Sequence, residues 1–376
     1  MKPEKLEAGV RAALRIALYQ LLMMDKIPAS AAVNESVSIA RKHSRNPRAS
    51  GLVNAVLRAF LRSVDNLPEV KGKNDAEVLS IQYSHPLWLV EEWMALLGKE
   101  RAEELLKADN DQPPTAAQIN TLCAEREAVA EMLTADGVEV SPHPWLEDCL
   151  LLTSTGDMEK LEPFRKGLFY IQDAAARLAV EAANVRPGMK VLDCCAAPGG
   201  KSFASAFRMK NEGEIISCDI HPHKIDLLKA GAERLGISIL TAREQNAKAF
   251  VGEWEEYFDL VLADVPCSGL GIIRKKPDIR FKDPKPLNGL PAIQKDILNN
   301  VSRYVRPGGV LLYSTCTLRK QENEDVVAHF LATHPDFELE GFALPGPVGR
   351  VEGMVTLWPH LHGTDGFFIA KFRRTV

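Results

Sequence analysis

The run VLDCCAAPGGKSFASAF, residues 191–207, decides the fold. An apolar stretch ends at Asp193, small residues and two glycines make a turn, and a helix starts near Gly200. The same strand-then-helix order repeats outward from it. GEIISCD (213–219) leads into HPHKIDLLKAGAERLG (221–236), a short third strand follows, then FDLVLADV (258–265), then GGVLLYSTC (308–316) and a helix from about Glu322. Strands alternating with helices predict an α/β domain over residues 166–376. Its sheet is expected to be mostly parallel and doubly wound, with ligands at the carboxyl ends of the strands.

Two smaller parts are predicted ahead of it. In residues 1–70, Val10, Ala13, Leu14, Ala17, Leu18, Leu21 and Leu22 recur at helical spacing, and SVSIARK and GLVNAVLRAFLR continue the pattern. This reads as an all-α bundle closed by the polar linker DNLPEVKGKND, with a boundary near residues 64–75. Residues 71–165 mix helical runs (HPLWLVEEWMALLG, EREAVAEMLTADG) with strand-like pieces (TAAQINTL, CLLLTS), which suggests a small α+β module. Trp88, Trp93 and Trp145 in this part read as core residues before they read as base-stacking platforms.

The chain has 376 residues, 46% hydrophobic and 26% charged, which suits a globular protein of two or three domains. Seven cysteines without a CxxC pair argue against a disulfide framework or a zinc site, so a reduced, cytoplasmic chain without a metal is expected. The apolar run VRAALRIALYQLLMM carries Arg11 and Arg15, so it reads as an amphipathic helix; neither a signal nor a membrane span is expected. A net charge of -4 gives no global attraction to nucleic acid, so a polyanionic partner needs a local basic surface. Arg274, Lys275, Lys276, Arg280 and Lys282 crowd into nine residues and are that candidate. RNA affinity is then expected to fall with salt.

The chemistry-bearing residues gather at strand ends. Gly199 and Gly200 permit close backbone approach, and the first amides of the following helix face the turn. The turn is not GxGxxG, and it suits a ligand with a carboxylate end better than a pyrophosphate. Asp219 ends the next strand 26 residues after Asp193, where a carboxylate can accept both hydroxyls of a ribose. Together these suggest an adenosine cofactor. Cys194, Cys195 and Cys218 read as small apolar strand residues. Asp264 ends an otherwise apolar run, where an unpaired carboxylate is expensive to bury, and Pro266 stops the strand. Cys267 and Cys316 follow two strands of one sheet, so both thiols can face one cleft.

Two thiols, a carboxylate and an adenosine cofactor suit one reaction in particular. A thiolate added at carbon 6 of a pyrimidine makes carbon 5 nucleophilic enough to take a methyl group. A carboxylate bonded to N3 and the exocyclic amine favours protonation there as negative charge develops, and a second thiol can assist release. Spacing leaves Cys267 and Cys316 interchangeable in these roles.

CCAAPGGK, DVPCSGLG, KKPDIRF, YSTCTL and HGTDGFFIAKFR, in this order, resemble the RNA cytosine-carbon-5 methyltransferases of the Sun/RsmB type. GLFYIQDAAARLA resembles that family's lead-in to the catalytic domain, and residues 6–62 resemble its NusB-like helical domain. The resemblance implies a Rossmann-like, class I methyltransferase domain using S-adenosyl-L-methionine. It also implies a cytosine of 16S ribosomal RNA as substrate, at family position 967, and a monomer is expected. By motif, the nucleophile falls on Cys316, the release thiol on Cys267 and the cytosine contact on Asp264, with Lys201 in the catalytic set. Cofactor contacts fall on Cys195, Ala196, Ala197, Pro198, Gly199, Gly200, Lys201, Asp219, Asn246 and Asp264, and RNA contacts on the basic run. Asn246 stands where the family usually carries an acid, and its amide can still accept a hydrogen bond. The helical domain is read as beginning partway through the family's version. Rival readings are the same chemistry on another rRNA site or on tRNA, a non-catalytic assembly factor, and an exocyclic-amine methyltransferase. A non-catalytic factor has no need of either thiol, and an amine methyltransferase needs none.

Overall fold

The computed structural model describes residues 3–375. The chain divides after Lys71 into two units. In the first, α1 (Ala8–Met23), α2 (Ala29–His43) and α3 (Ala49–Arg62) bury Val10, Leu14, Ala17, Val33, Ala40, Val53 and Leu57 against one another. Pro28 opens α2, and the Glu7 carboxylate accepts from the Ser44 hydroxyl (2.9 Å) and the Arg45 amide (3.2 Å). One acid thereby ties the turn between α2 and α3 to the start of α1.

The second unit opens with helices Asp75–Gln82, Leu87–Leu97 and Lys99–Ala108. Asn74 caps the first through the Glu77 amide (2.9 Å), and the Glu77 carboxylate returns to the Lys73 amide (2.5 Å), a capping box displaced by one residue. These helices pack with the loops of the large sheet: Leu89, Trp93, Leu105 and Leu106 share a core with Leu270, Ile273, Leu287 and Leu318. Trp93 is fully buried there, in the core role expected for it.

Next come β1 (Thr115–Ile119), β2 (Glu139–Pro142), β3 (Cys149–Thr153) and β4 (Phe169–Ile171), an antiparallel sheet in the order β2-β3-β1-β4 with helix Arg126–Ala135 packed against it. β4 lies past residue 165, so the small sheet takes in residues expected in the catalytic domain. Asn120 fastens the two parts, donating to the carbonyls of Gly167 and Leu235 at 2.9 Å each.

The large sheet holds β5 (Lys190–Asp193), β6 (Glu214–Asp219), β7 (Leu240–Glu244), β8 (Phe258–Asp264) and β9 (Val305–Thr315), parallel in the order β9-β8-β5-β6-β7. Both faces are covered. Leu260 and Leu262 of β8 join one core with Leu178, Phe203 and Phe207, while Val261 and Ala263 join another with Ile297, Val326 and Phe330. The last part of the chain adds β10 (Phe337–Leu339), the hairpin of β11 (Phe342–Leu344) with β12 (Gly349–Val351), then β13 (Met354–Leu357) and β14 (Phe367–Arg374). β14 runs antiparallel beside β9, and β10 and β13 share its other edge.

Two features of the sheet's carboxyl edge control stability. Asp193 is fully buried; its Oδ2 accepts from the Ser202 hydroxyl (2.7 Å), which accepts in turn from Ser217 (2.8 Å). Its Oδ1 has no hydrogen-bond partner among the described residues. Burial pushes the Asp193 carboxyl up to about 6, against the counteracting Ser202 bond and the Lys201 charge. Gly271 donates to the Cys316 carbonyl (2.9 Å) and accepts from Gly366 (2.8 Å), and a Cβ there would lie 2.0 Å from the Gly366 oxygen.

Gly271→Ala is expected to destabilise the protein by about 2 kcal/mol or more, because backbone cannot give way as a side-chain tip can; an unchanged urea midpoint would refute this. For Asp193, the raised folded pKa means the native state binds the extra proton, so stability is present below the unfolded pKa and lost as pH rises through about 6. Asp193→Asn removes that loss, and its stability advantage over wild type should grow by on the order of 1 kcal/mol between pH 5 and pH 7.5. A constant difference in unfolding free energy across that range would refute it.

Candidate active site

β8 and β9 pair in parallel with Asp264 opposite Ser314, so the two strands end together. The chain leaves β8 through Val265 and Pro266 to Cys267, and leaves β9 directly into Cys316. The two sulfurs lie 3.3 Å apart. Asp264, next to them, accepts from the Lys201 ammonium on Oδ2 (2.7 Å) and from the Ser314 hydroxyl on Oδ1 (2.8 Å). Lys201 comes from the first turn of helix Gly200–Arg208, is 8% exposed, and sits 5.1 Å from the centroid of the Phe367 ring. Each Asp264 oxygen keeps an acceptor position beyond the bond it already receives.

The thiols differ in proton affinity. The hydrogen bond from Cys267 lowers the Cys316 thiol, and the Lys201 charge adds to it against burial and Asp264. Cys267 is pushed well up by the same bond, by burial and by the Glu322 and Asp264 charges. The contact between the two sulfurs is the largest cause of both shifts, lowering Cys316 and raising Cys267; Asp264 raises both, and Lys201 acts on Cys316 in the lowering direction.

A cavity of about 420 Å³ opens beside the pair. It is lined by Cys195, Ala197, Asp219, Asn246, Asp264, Cys267 and Cys316, all singled out in the sequence. Asp219 ends β6 and accepts from the His221 amide (3.0 Å), with Lys224 3.3 Å away. Ala196, Pro198, Gly199, Gly200 and Lys201 do not line the cavity. Ala196 is buried against Ile225 and Leu228, Pro198 is exposed, Gly199 caps the helix, and Lys201 is committed to Asp264. The residues present suit an adenosine ligand with an amino-acid end. A ribose-accepting acid, an amide at Asn246, apolar Ile220 and Ile297, and a helix N-terminus line or adjoin one space.

Several contributors escaped the sequence reading. Ser314 follows the run Val310–Tyr313 and precedes Thr315 and Cys316, and that change from apolar to hydroxyl side chains was the available signal. Ile220 is 52% exposed at the cavity wall, and its position directly after Asp219 was the signal there. Lys224, Gln245 and Ile293 line the cavity without any such mark.

The basic run needs correction. Arg274 bonds Asp365 (2.8 Å) and the Gly363 carbonyl (3.0 Å), and Lys275 bonds Asp173 (2.5 Å) and Asp365 (2.8 Å). Arg280 is buried, donating to Asn110 (2.8 Å) and to backbone carbonyls. Arg274 and Arg280 are spent on internal partners, because a buried guanidinium must be satisfied where it lies, and Lys275, though exposed, is paired with Asp173 and the buried Asp365. Lys282 reaches the Ser268 carbonyl (2.7 Å) and is otherwise exposed, and Lys276 has no side-chain partner among the described residues. Phe281, between them in sequence, is 66% exposed.

Among the described residues no cluster of His, Cys, Asp and Glu is arranged to hold a metal ion, and no helix is long and apolar enough to cross a membrane. Known proteins agree with the architecture. The model of the 16S rRNA methyltransferase RsmB/F family matches residues 180–373, that of the RsmF/B-like ferredoxin-like domain residues 85–159, and that of the NusB family residues 2–62. A probable ribosomal RNA small subunit methyltransferase B from Bacillus subtilis is 38% identical over 99% of this chain and 84% of its own. Ribosomal RNA small subunit methyltransferase B from Vibrio cholerae is 33% identical over 94% and 79%. The crystal structure of PH0851 superposes with a TM-score of 0.80 at 30% identity, covering 100% of this chain and 84% of that one. A methyltransferase homologue from Pyrococcus horikoshii gives 0.68 at 27%, covering 81% and 100%. With a catalytic domain, a ferredoxin-like module and a NusB-type bundle in one order, the chain belongs to the RsmB/F family of 16S rRNA methyltransferases.

Proposed function

We propose that this chain methylates carbon 5 of a cytosine in 16S ribosomal RNA, at the family's position 967, through a covalent adduct on Cys316. The observation that carries this reading is the 3.3 Å contact of two thiols beside a doubly held carboxylate. Methylation of an exocyclic amine needs neither thiol.

S-adenosylmethionine, when bound, supplies an electrophilic methyl group. Asp219 would accept the ribose hydroxyls and Asn246 would meet the adenine edge. The Cys316 thiolate adds to carbon 6 of the base; Asp264 accepts from the exocyclic amine and passes a proton from solvent to N3 as negative charge develops there, and takes it back when carbon 5 is methylated. Carbon 5 then takes the methyl group. A proton leaves carbon 5, its bonding electrons restore the double bond, and the sulfur–carbon 6 bond breaks. Cys267, in contact with Cys316, assists that departure.

RNA is held in this reading by Lys276, Lys282 and Lys285, exposed cations of the segment without a carboxylate partner among the described residues, with Phe281 offering a face for an unstacked base. The target is a loop or junction nucleotide able to swing into the cleft.

Incubation with labelled cofactor and 16S RNA fragments tests the chemistry. Cys316→Ala is expected to form no covalent RNA adduct and Cys267→Ala to accumulate one; the opposite pattern reverses the assignment. For the grip, Phe281→Ala is expected to weaken RNA binding by about tenfold at constant salt, the order of one lost base stack. Lys276→Gln with Lys282→Gln should flatten the salt dependence by about two ion equivalents. Unaltered slopes in a filter-binding titration would exclude these lysines.

A further inference from the structure

Glu322 and Asn323 lie in the turn before helix Glu324–Thr333, 0% and 1% exposed, and neither lines the cavity. Their contacts are with the residues on either side of the two reacting cysteines. Glu322 Oε2 accepts from the Ser268 amide (2.8 Å) and from Gln294 Nε2 (3.0 Å). The same Gln294 nitrogen donates to the Pro266 carbonyl (3.1 Å), so both neighbours of Cys267 are held. Asn323 repeats the arrangement around Cys316. Its Oδ1 accepts from the Thr315 hydroxyl (2.6 Å) and its Nδ2 donates to the Thr317 carbonyl (2.9 Å).

Two further bonds join these halves. The hydroxyls of Ser268 and Thr317, one residue past each cysteine, meet at 2.7 Å. Tyr313 of β9 donates to the Glu322 carbonyl (2.5 Å), fixing the turn to the strand that delivers Cys316. Glu322 is buried at some cost: Oε1 has no hydrogen-bond partner among the described residues, and the nearest guanidinium nitrogen, from Arg319, is 3.8 Å away. A buried acid under that penalty is poorly explained by packing alone.

We propose that Glu322 and Asn323 are positioning residues for the reaction, a two-residue bracket that fixes the peptide units flanking Cys267 and Cys316 and holds the two sulfurs in contact. The proposal rests on the reading of these cysteines as the reacting pair. Its test reads sulfur geometry without methylation, so failure of that reading and failure of the bracket give different results.

The full chain is treated with diamide, whose diazene takes up two hydrogens while two thiols become one disulfide, and the Cys267–Cys316 bond is timed by peptide mass spectrometry. Wild type is expected to form it rapidly. Glu322→Ala and Asn323→Ala should form it at least about tenfold more slowly, since a displacement near 1 Å suffices for losses of that order. Glu322→Gln keeps the acceptor for Ser268 and Gln294, and is expected to cross-link at the wild-type rate. Asn323→Asp conserves volume and the Thr315 contact but loses the donor to Thr317, and should be slowed in a protein that still folds. Val129→Ala, buried in the core of the small sheet, loosens the fold away from the thiols and should leave the rate unchanged. Wild-type rates in the Asn323 variants overturn the proposal, as does equal slowing in Val129→Ala.

Discussion

The parallel pairing of β8 with β9, with Asp264 opposite Ser314, is the constraint on which the site depends. Two adjacent strands ending at one level deliver a carboxylate and a hydroxyl side by side, and the thiols follow within three residues of each end. A shift of that register by one residue would turn Asp264 to the other face and separate it from Lys201. The close approach of Gly271 to Cys316 and Gly366 extends the same constraint beyond the sheet, since the turns can stack only where no side chain intervenes.

Charge has two different uses in this catalytic unit. Lys201 pairs with Asp264, while Arg274 and Lys275 form a four-membered network with Asp173 and Asp365. Such pairs satisfy one another with little net field outside. At the surface of the same segment, Lys276, Lys282 and Lys285 remain exposed. Exposed Asp278 and Asp283 lie among them, so the outward charge of the segment is a small excess of cations and not a strongly basic patch.

Much of this was legible in the sequence because the parallel strands are short, apolar on both faces and separated by helices of ordinary length. Strand ends could be located from Asp193, Asp219 and Asp264, and ligand-bearing residues follow strand ends. What stayed hidden was pairing over long separations. The antiparallel insertion of β14 was not visible, since FFIAKF is buried along both faces and its partner β9 ends about 50 residues earlier. The basic run looked free because the acids that neutralise Arg274 and Lys275 lie 91 and 102 residues away in the chain. β4 is only three residues long and carries no periodicity, so nothing local marked its place in the small sheet. Glu322 looked like the opening of a helix, a role that acids often fill, and nothing local revealed its contact with Ser268.

Arg280 extends this to binding energetics. Its guanidinium lies among Asn110 and the carbonyls of Tyr83, Ser84 and Asp109, and holds the segment Pro277–Phe281 to the helical layer at residues 75–108. That segment carries Phe281 and adjoins Lys276 and Lys282. Its conformational entropy is lost when the protein folds, not when a polyanion arrives. The segment is preorganised, and the nucleic acid proposed to bind there would meet a surface that already has its shape.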